Sequence, residues 1–147
     1  MVKILALDPS GTGMTGICLI NSQITFQEFQ HQDWKEHYAF ISQIVKNYQP
    51  ALILYENTNY LYSRQHQGTV SLLKLLGAIE SLPLRAESIL VKQVKDLKAK
   101  LFKDEIQIKD LEFKLGKGWF FQKQKISIHQ LDAYLVYFLW KEKGGGE

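Results

Sequence analysis

The stretch from Ile4 to Ile20 constrains the fold of this chain more than any other. Val2, Ile4, Leu5, Ala6 and Leu7 form a near-continuous apolar run, the pattern of a strand buried on both faces of its sheet. The run ends at Asp8. A charge at the tip of a buried strand faces a cleft rather than open solvent, so it is either paired or used. A turn of small residues follows, and Gly16–Ile20 reads as a second apolar strand. Gly11, Gly13 and Gly16 are expected to let the backbone turn sharply and a ligand approach closely.

Beyond Asn21-Ser22, a turn signal, the alternation in Ile24–Phe29 predicts a third strand and so an antiparallel meander. Asp33-Trp34-Lys35-Glu36 has capping-box spacing, and Trp34, Tyr38, Ile41, Val45 and Tyr48 predict an amphipathic helix that closes before Pro50. Ala51–Tyr55 is a second buried run, and it too ends at a carboxylate, Glu56. The polar and aromatic residues 57–67 read as a loop. A helix follows with Val70, Leu73, Leu76, Gly77 and Ile79 inward, then a fifth strand over Leu84–Leu90 and a lysine-rich helix over Gln93–Phe102.

Leu97, Leu101, Ile108, Leu111 and Leu115 predict that this helix continues to Gly116. The alternative is a hairpin of Leu111–Leu115 and Trp119–Gln122 across Gly116-Lys117-Gly118. Trp119-Phe120-Phe121 reads as core or as a dimer interface. Ser127-Ile128-His129-Gln130 is a second capping box and opens a last helix to about Glu142. The order implies an α/β fold: a mixed five-stranded sheet, three antiparallel strands and then parallel ones, with helices on both faces.

At 147 residues the chain is expected to form one domain, over 1–143, with a flexible glycine tail at 144–147. No run approaches the ~18 apolar residues of a membrane span. No basic segment followed by an apolar one opens the chain, and Cys18, the only cysteine, lies within a predicted strand as core packing. A reducing, cytoplasmic setting is expected. Net charge is +3, but ten lysines and only five acids lie between Lys92 and Lys125. Such a stretch suits a polyanion, and it equally suits a solvated helix face.

If the strands ending in Asp8 and Glu56 are parallel neighbours, both carboxylates lie at one sheet edge, where open α/β sheets place ligands. His129 and Asp132 share one face of the last helix, and the small Ala133 beside them lets that helix approach the sheet. Converged carboxylates raise one another's pKa unless a cation neutralises them, and oxygen-rich sets of this kind suit Mg²⁺ or Mn²⁺. Two such ions activate a water and stabilise a leaving oxygen in phosphodiester cleavage. The bland alternatives are a turn-capping Asp8 before Pro9, a solvated Glu56 and an exposed His129. An Asp132 buried without a partner in an apolar helix has no comparably cheap explanation. His31, His37 and His66 show no ligand spacing and are assigned nothing.

Four features, in this order across nearly the whole chain, carry a resemblance. They are Leu7-Asp8-Pro9 with Thr15-Gly16, Tyr55-Glu56, Lys92-Gln93-Val94-Lys95, and His129-x-x-Asp132-Ala133. The chain resembles the RuvC-type Holliday-junction resolvases of the ribonuclease H-like superfamily, in a compact, phage-like version. The resemblance implies that Asp8, Glu56 and Asp132 are catalytic metal ligands, with His129 completing the site or assisting the attacking water. It implies two Mg²⁺ ions, with Mn²⁺ as a substitute, and a homodimer that nicks two strands of a four-way junction to leave 5′-phosphates. It places Lys95 near the DNA backbone, with Lys92 and Lys98 beside it on the same helix, in the cytoplasm of a bacterium or a phage-infected host.

Tyr60 and Tyr62 stand where the family's loop carries an aromatic wedge, although their spacing from Glu56 departs from its pattern, and residues 103–124 match no family motif. Cutting preference and selectivity for four-way over other branched DNA are therefore open. Competing readings are a nuclease for RNA–DNA hybrids, a non-catalytic protein that binds branched DNA, and an actin-like phosphate-binding module suggested by Asp8–Gly13. The last normally needs two such domains and leaves His129 and Asp132 without a role.

Overall fold

The buried run at the N-terminus divides its side chains between two cores. In strand β1 (Ile4–Asp8), Ile4 and Ala6 enter one apolar cluster, and Leu5 and Leu7 enter another on the opposite face. Strand β4 (Leu52–Asn57) divides likewise, with Leu52 and Leu54 on the first face and Ile53 and Tyr55 on the second. The chain is described here from a computed structural model that covers residues 2–57 and 67–145.

Strands β2 (Met14–Ile20) and β3 (Ile24–Gln30) form the expected meander with β1. β4 and strand β5 (Arg85–Leu90) add in parallel, giving a five-stranded sheet of order β3-β2-β1-β4-β5. Helices α1 (Trp34–Tyr48) and α2 (Gln67–Glu80) cover the face that receives Leu5, Leu7, Ile53 and Tyr55. Helices α3 (Val91–Phe102) and α4 (Ile128–Glu142) cover the other. Asp33 caps α1 by accepting from the Lys35 N–H, and the Ser127–Gln130 capping box forms in full at α4. In α2 the inner side is Ser71, Leu75, Leu76 and Ile79, whereas Leu73 and Gly77, expected inward, face solvent.

The predicted continuation of α3 does not form. The chain leaves the helix at Lys103 and builds a second sheet from β6 (Leu111–Lys114), β7 (Gly118–Phe121) and β8 (Gln124–Ile126). Asp104, Asp110, Gly116, Gly118, Gln122 and Lys123 all have positive φ, which no α-helix accommodates. The hairpin alternative therefore holds, with one strand more than the sequence signalled. Trp119, Phe121 and Ile126 join the α4 face, and Phe121 packs edge-on against Phe26 at 5.4 Å and at a tilt against Tyr134 at 4.8 Å. No helix among the described residues is long and apolar enough to cross a membrane.

Candidate metal centre

Asp8 ends β1, and the register that pairs Leu7 with Tyr55 sets Asp8 beside Glu56 near the end of β4. Alternation puts Asp8 on the face of Ala6 and Glu56 on the face of Leu54, the face that α4 covers. Asp132, in the second turn of α4, comes down on both. One carboxylate oxygen from each of Asp8, Glu56 and Asp132 lies within 4.8 Å of the other two, and all three side chains are half-buried. His129 stands at the rim of this cluster, its Nδ1–H donating to Asp8 Oδ2 at 3.2 Å.

The approach of α4 rests on Gly16. A Cβ built on Gly16 would lie 2.0 Å from the His129 carbonyl oxygen. The glycine is therefore required for the first turn of α4 to rest on β2, not for the sharp turn or the ligand approach expected of it. Gly11 has the same role toward α2, since its Cβ would lie 2.6 Å from the Leu72 nitrogen. The intervening loop is tied internally. Thr15 Oγ1 accepts from the Ser10 N–H at 3.0 Å and donates to His37 Nδ1 at 2.8 Å, while His37 Nε2–H donates to the His31 carbonyl at 2.7 Å. His37 is fully buried, and its burial pushes its pKa down, which suits the neutral ring that this pattern needs. Sequence reading assigned His37 nothing, although its position one turn before Ile41 on the inner face of α1 was the available signal.

Burial pushes the Glu56 carboxyl up to about 8, and Asp8 and Asp132 push it the same way against the opposing pull of Lys98 and Lys95. Asp8 is likewise raised, chiefly by burial, although its hydrogen bond to His129 pulls it down. That same bond is the main cause of the raised pKa of His129. Glu56 Oε2 is buried and has no hydrogen-bond partner among the described residues. A carboxylate oxygen left orphaned among other carboxylates is strongly disfavoured unless a cation or a proton answers it. The donors are hard oxygens with one imidazole at the rim, so the residues fit Mg²⁺ or Mn²⁺.

The lysines of α3 divide. Lys98 is not part of a solvated face; its Nζ pairs with Asp132 Oδ1 at 2.8 Å. Lys92 and Lys95 are exposed, with Lys95 near enough to act on Glu56. Tyr60 and Tyr62 lie outside the described residues.

No protein-family model matches this sequence, and no curated protein sequence matches it. Solved structures do. RuvC of Thermus thermophilus in complex with a Holliday-junction substrate superposes with a TM-score of 0.64 at 12% identity, over 99% of this chain and 98% of that one. A second structure of Thermus thermophilus RuvC gives 0.55 at 13% identity over 97% of each chain. The fowlpox virus resolvase in complex with its substrate Holliday-junction DNA gives 0.50 at 10% identity, over 98% of this chain and 99% of that one. The chain thus has the fold of the RuvC-type resolvases, an α/β fold of the ribonuclease H-like kind.

Proposed function

We propose that this protein is a divalent-metal-dependent DNA endonuclease that resolves four-way junctions, and other branched DNA, by paired nicks that leave 5′-phosphates. The observation that carries the reading is the convergence of Asp8, Glu56 and Asp132 around an orphaned Glu56 oxygen, on a fold shared with resolvases solved on junction DNA. Paired nicks need two such sites facing one junction, so the working unit is a homodimer. Residues 1–143 are taken as its single nuclease domain and 144–147 as a tail.

Asp8, Glu56 and Asp132 would hold the metal, with His129 beside them. Magnesium, or manganese in its place, would supply Lewis-acid chemistry there, as a pair of ions on this reading. The chain's own residues do the rest. His129 Nδ1–H orients Asp8, and its partly exposed ring accepts at Nε2 the proton that the water gives up. Lys98 Nζ offsets the charge on Asp132 and keeps that side chain in the cluster. The exposed Lys92 and Lys95 meet the DNA backbone.

The test is cleavage of a labelled four-way junction in Mg²⁺, beside linear duplex, a flap and an RNA–DNA hybrid, with Asp8→Asn in parallel. The expected result is paired nicks on the junction, with the rate down at least about a hundredfold in Asp8→Asn. Tight junction binding without cleavage in either Mg²⁺ or Mn²⁺ makes the protein a non-catalytic binder. Cleavage of the hybrid alone keeps the metal chemistry and overturns the substrate.

A further inference from the structure

Beside the carboxylate cluster, α3 and the second sheet leave a groove of about 450 Å³. Its apolar lining includes Phe102, Phe113 and Trp119, and its polar lining is Lys95, Lys98 and Lys103, with no carboxylate among the lining residues. Phe102 is 61% exposed, the only aromatic among the large apolar side chains that the described residues leave in solvent. It stands 5.1 Å from Phe113, which stands 5.0 Å from Trp119, so three rings line one continuous wall. Lys98 belongs both to the groove and to the cluster, through its ion pair with Asp132, and Ile128, also in the lining, precedes His129. Lys98 and the first turn of α4 therefore join the groove to the cluster.

We propose that this groove takes one unpaired nucleobase of the bound strand, stacked on Phe102, while the flanking phosphates lie on Lys95 and Lys103. The proposal rests on the nuclease reading for its orientation and goes beyond it in naming a base subsite. An aromatic wall rimmed by cations and free of acids is complementary to a flat base on an anionic backbone, whereas a purely apolar peptide would leave those cations unanswered. A volume of this size exceeds one base and fits a nucleotide with its sugar. Because Lys98 spans from the groove to Asp132, the base the groove holds lies within a few nucleotides of the cut, where its identity biases the cutting site. The second sheet, which matched no motif, then acquires a role, since it presents Phe113, backed by the buried Trp119, to the substrate.

The experiment uses the full chain with Asp8→Asn, in chelator, so that binding is read without cleavage. A four-way junction carries 2-aminopurine, and separately an abasic site, at successive positions near the exchange point. The expected result is that 2-aminopurine fluorescence is quenched at one position, that Phe102→Ala abolishes the quench and that Phe102→Trp retains it. The abasic site at that position should weaken binding by about tenfold in the Phe102 protein and leave the Phe102→Ala protein unchanged. Phe102 is exposed, and an unchanged melting temperature identifies the variant as folded. Quenching at no position, or abasic and Phe102→Ala losses that multiply, overturns the proposal. So does a shift in oligomeric state on Phe102→Ala, which would make the groove a protein interface. Junction cleavage by the wild-type chain is scored separately, so a failed nuclease reading leaves the base-dependent binding result standing, and the reverse.

Discussion

Glu56 is the residue on which the electrostatics of the site turn. In the folded chain it keeps its proton up to about pH 8, because burial and two neighbouring carboxylates disfavour its charge, whereas an unfolded Glu releases it at about 4.3. Between those values the folded state binds the extra proton, so this group makes stability fall as pH rises through the window. Glu56→Gln removes the penalty. In chelator it should melt several degrees above the wild type at pH 9 and within about a degree of it at pH 4, by calorimetry. An equal difference at both pH values would count against a titrating Glu56. The same physics makes a divalent ion stabilising: Mg²⁺ or Mn²⁺ should raise the melting temperature at neutral pH, and Asp8→Asn should abolish most of the rise. The three carboxylates were legible in the sequence because each interrupts an apolar run. Lys98 was not, since nothing in a lysine-rich helix marks which lysine turns inward to pair with Asp132.

At the scale of elements, the site is a contact between two strands and one helix, and Gly16 sets how close that helix comes. A Cβ there meets the backbone of His129, which cannot swing aside as a side-chain tip could. Gly16→Ala should cost about 2 kcal/mol or more by denaturant titration, and it should cost activity even where the chain stays folded, because α4 carries His129 and Asp132 away from Asp8. A variant of unchanged stability and rate would remove the glycine from this account. The sequence made the five strands and four helices readable because their apolar residues repeat with period two or three to four. It misled at 103–116 because the helical spacing there is coincidental: Ile108 is buried from a loop, Leu111 lies in β6 and Leu115 stands exposed in the turn. The discriminating signal was the Gly116-Lys117-Gly118 turn, which needs positive φ at both glycines. Gly16 misled for a related reason: a glycine needed for a neighbour's approach and one needed for a turn look alike in one dimension.

Across the whole molecule, charge is sorted by layer. Ten of the eighteen basic residues fall between Lys92 and Lys125, on α3, the second sheet and the segment joining them, while the opposite layer of α1 and α2 has no such excess. On the proposed function, an anionic duplex would be drawn to the α3 side and would meet the carboxylates there. In the absence of metal those carboxylates repel the phosphates that the lysines attract. Two measurements on one junction separate the contributions. The logarithm of the binding constant should fall linearly with the logarithm of salt concentration, and Lys92→Ala with Lys95→Ala should flatten the slope by about 1 for each phosphate they no longer neutralise. Lys46→Ala, on the exposed last turn of α1, should leave the slope unchanged. Asp8→Asn in chelator should bind at least as tightly as the wild type while failing to cut in Mg²⁺, because it removes repulsion and metal affinity together. If Lys46→Ala flattened the slope as much as the α3 changes do, the DNA would be bound by net charge rather than by this face. If Asp8→Asn lost both binding and cutting, Asp8 would be acting through the fold rather than through its charge.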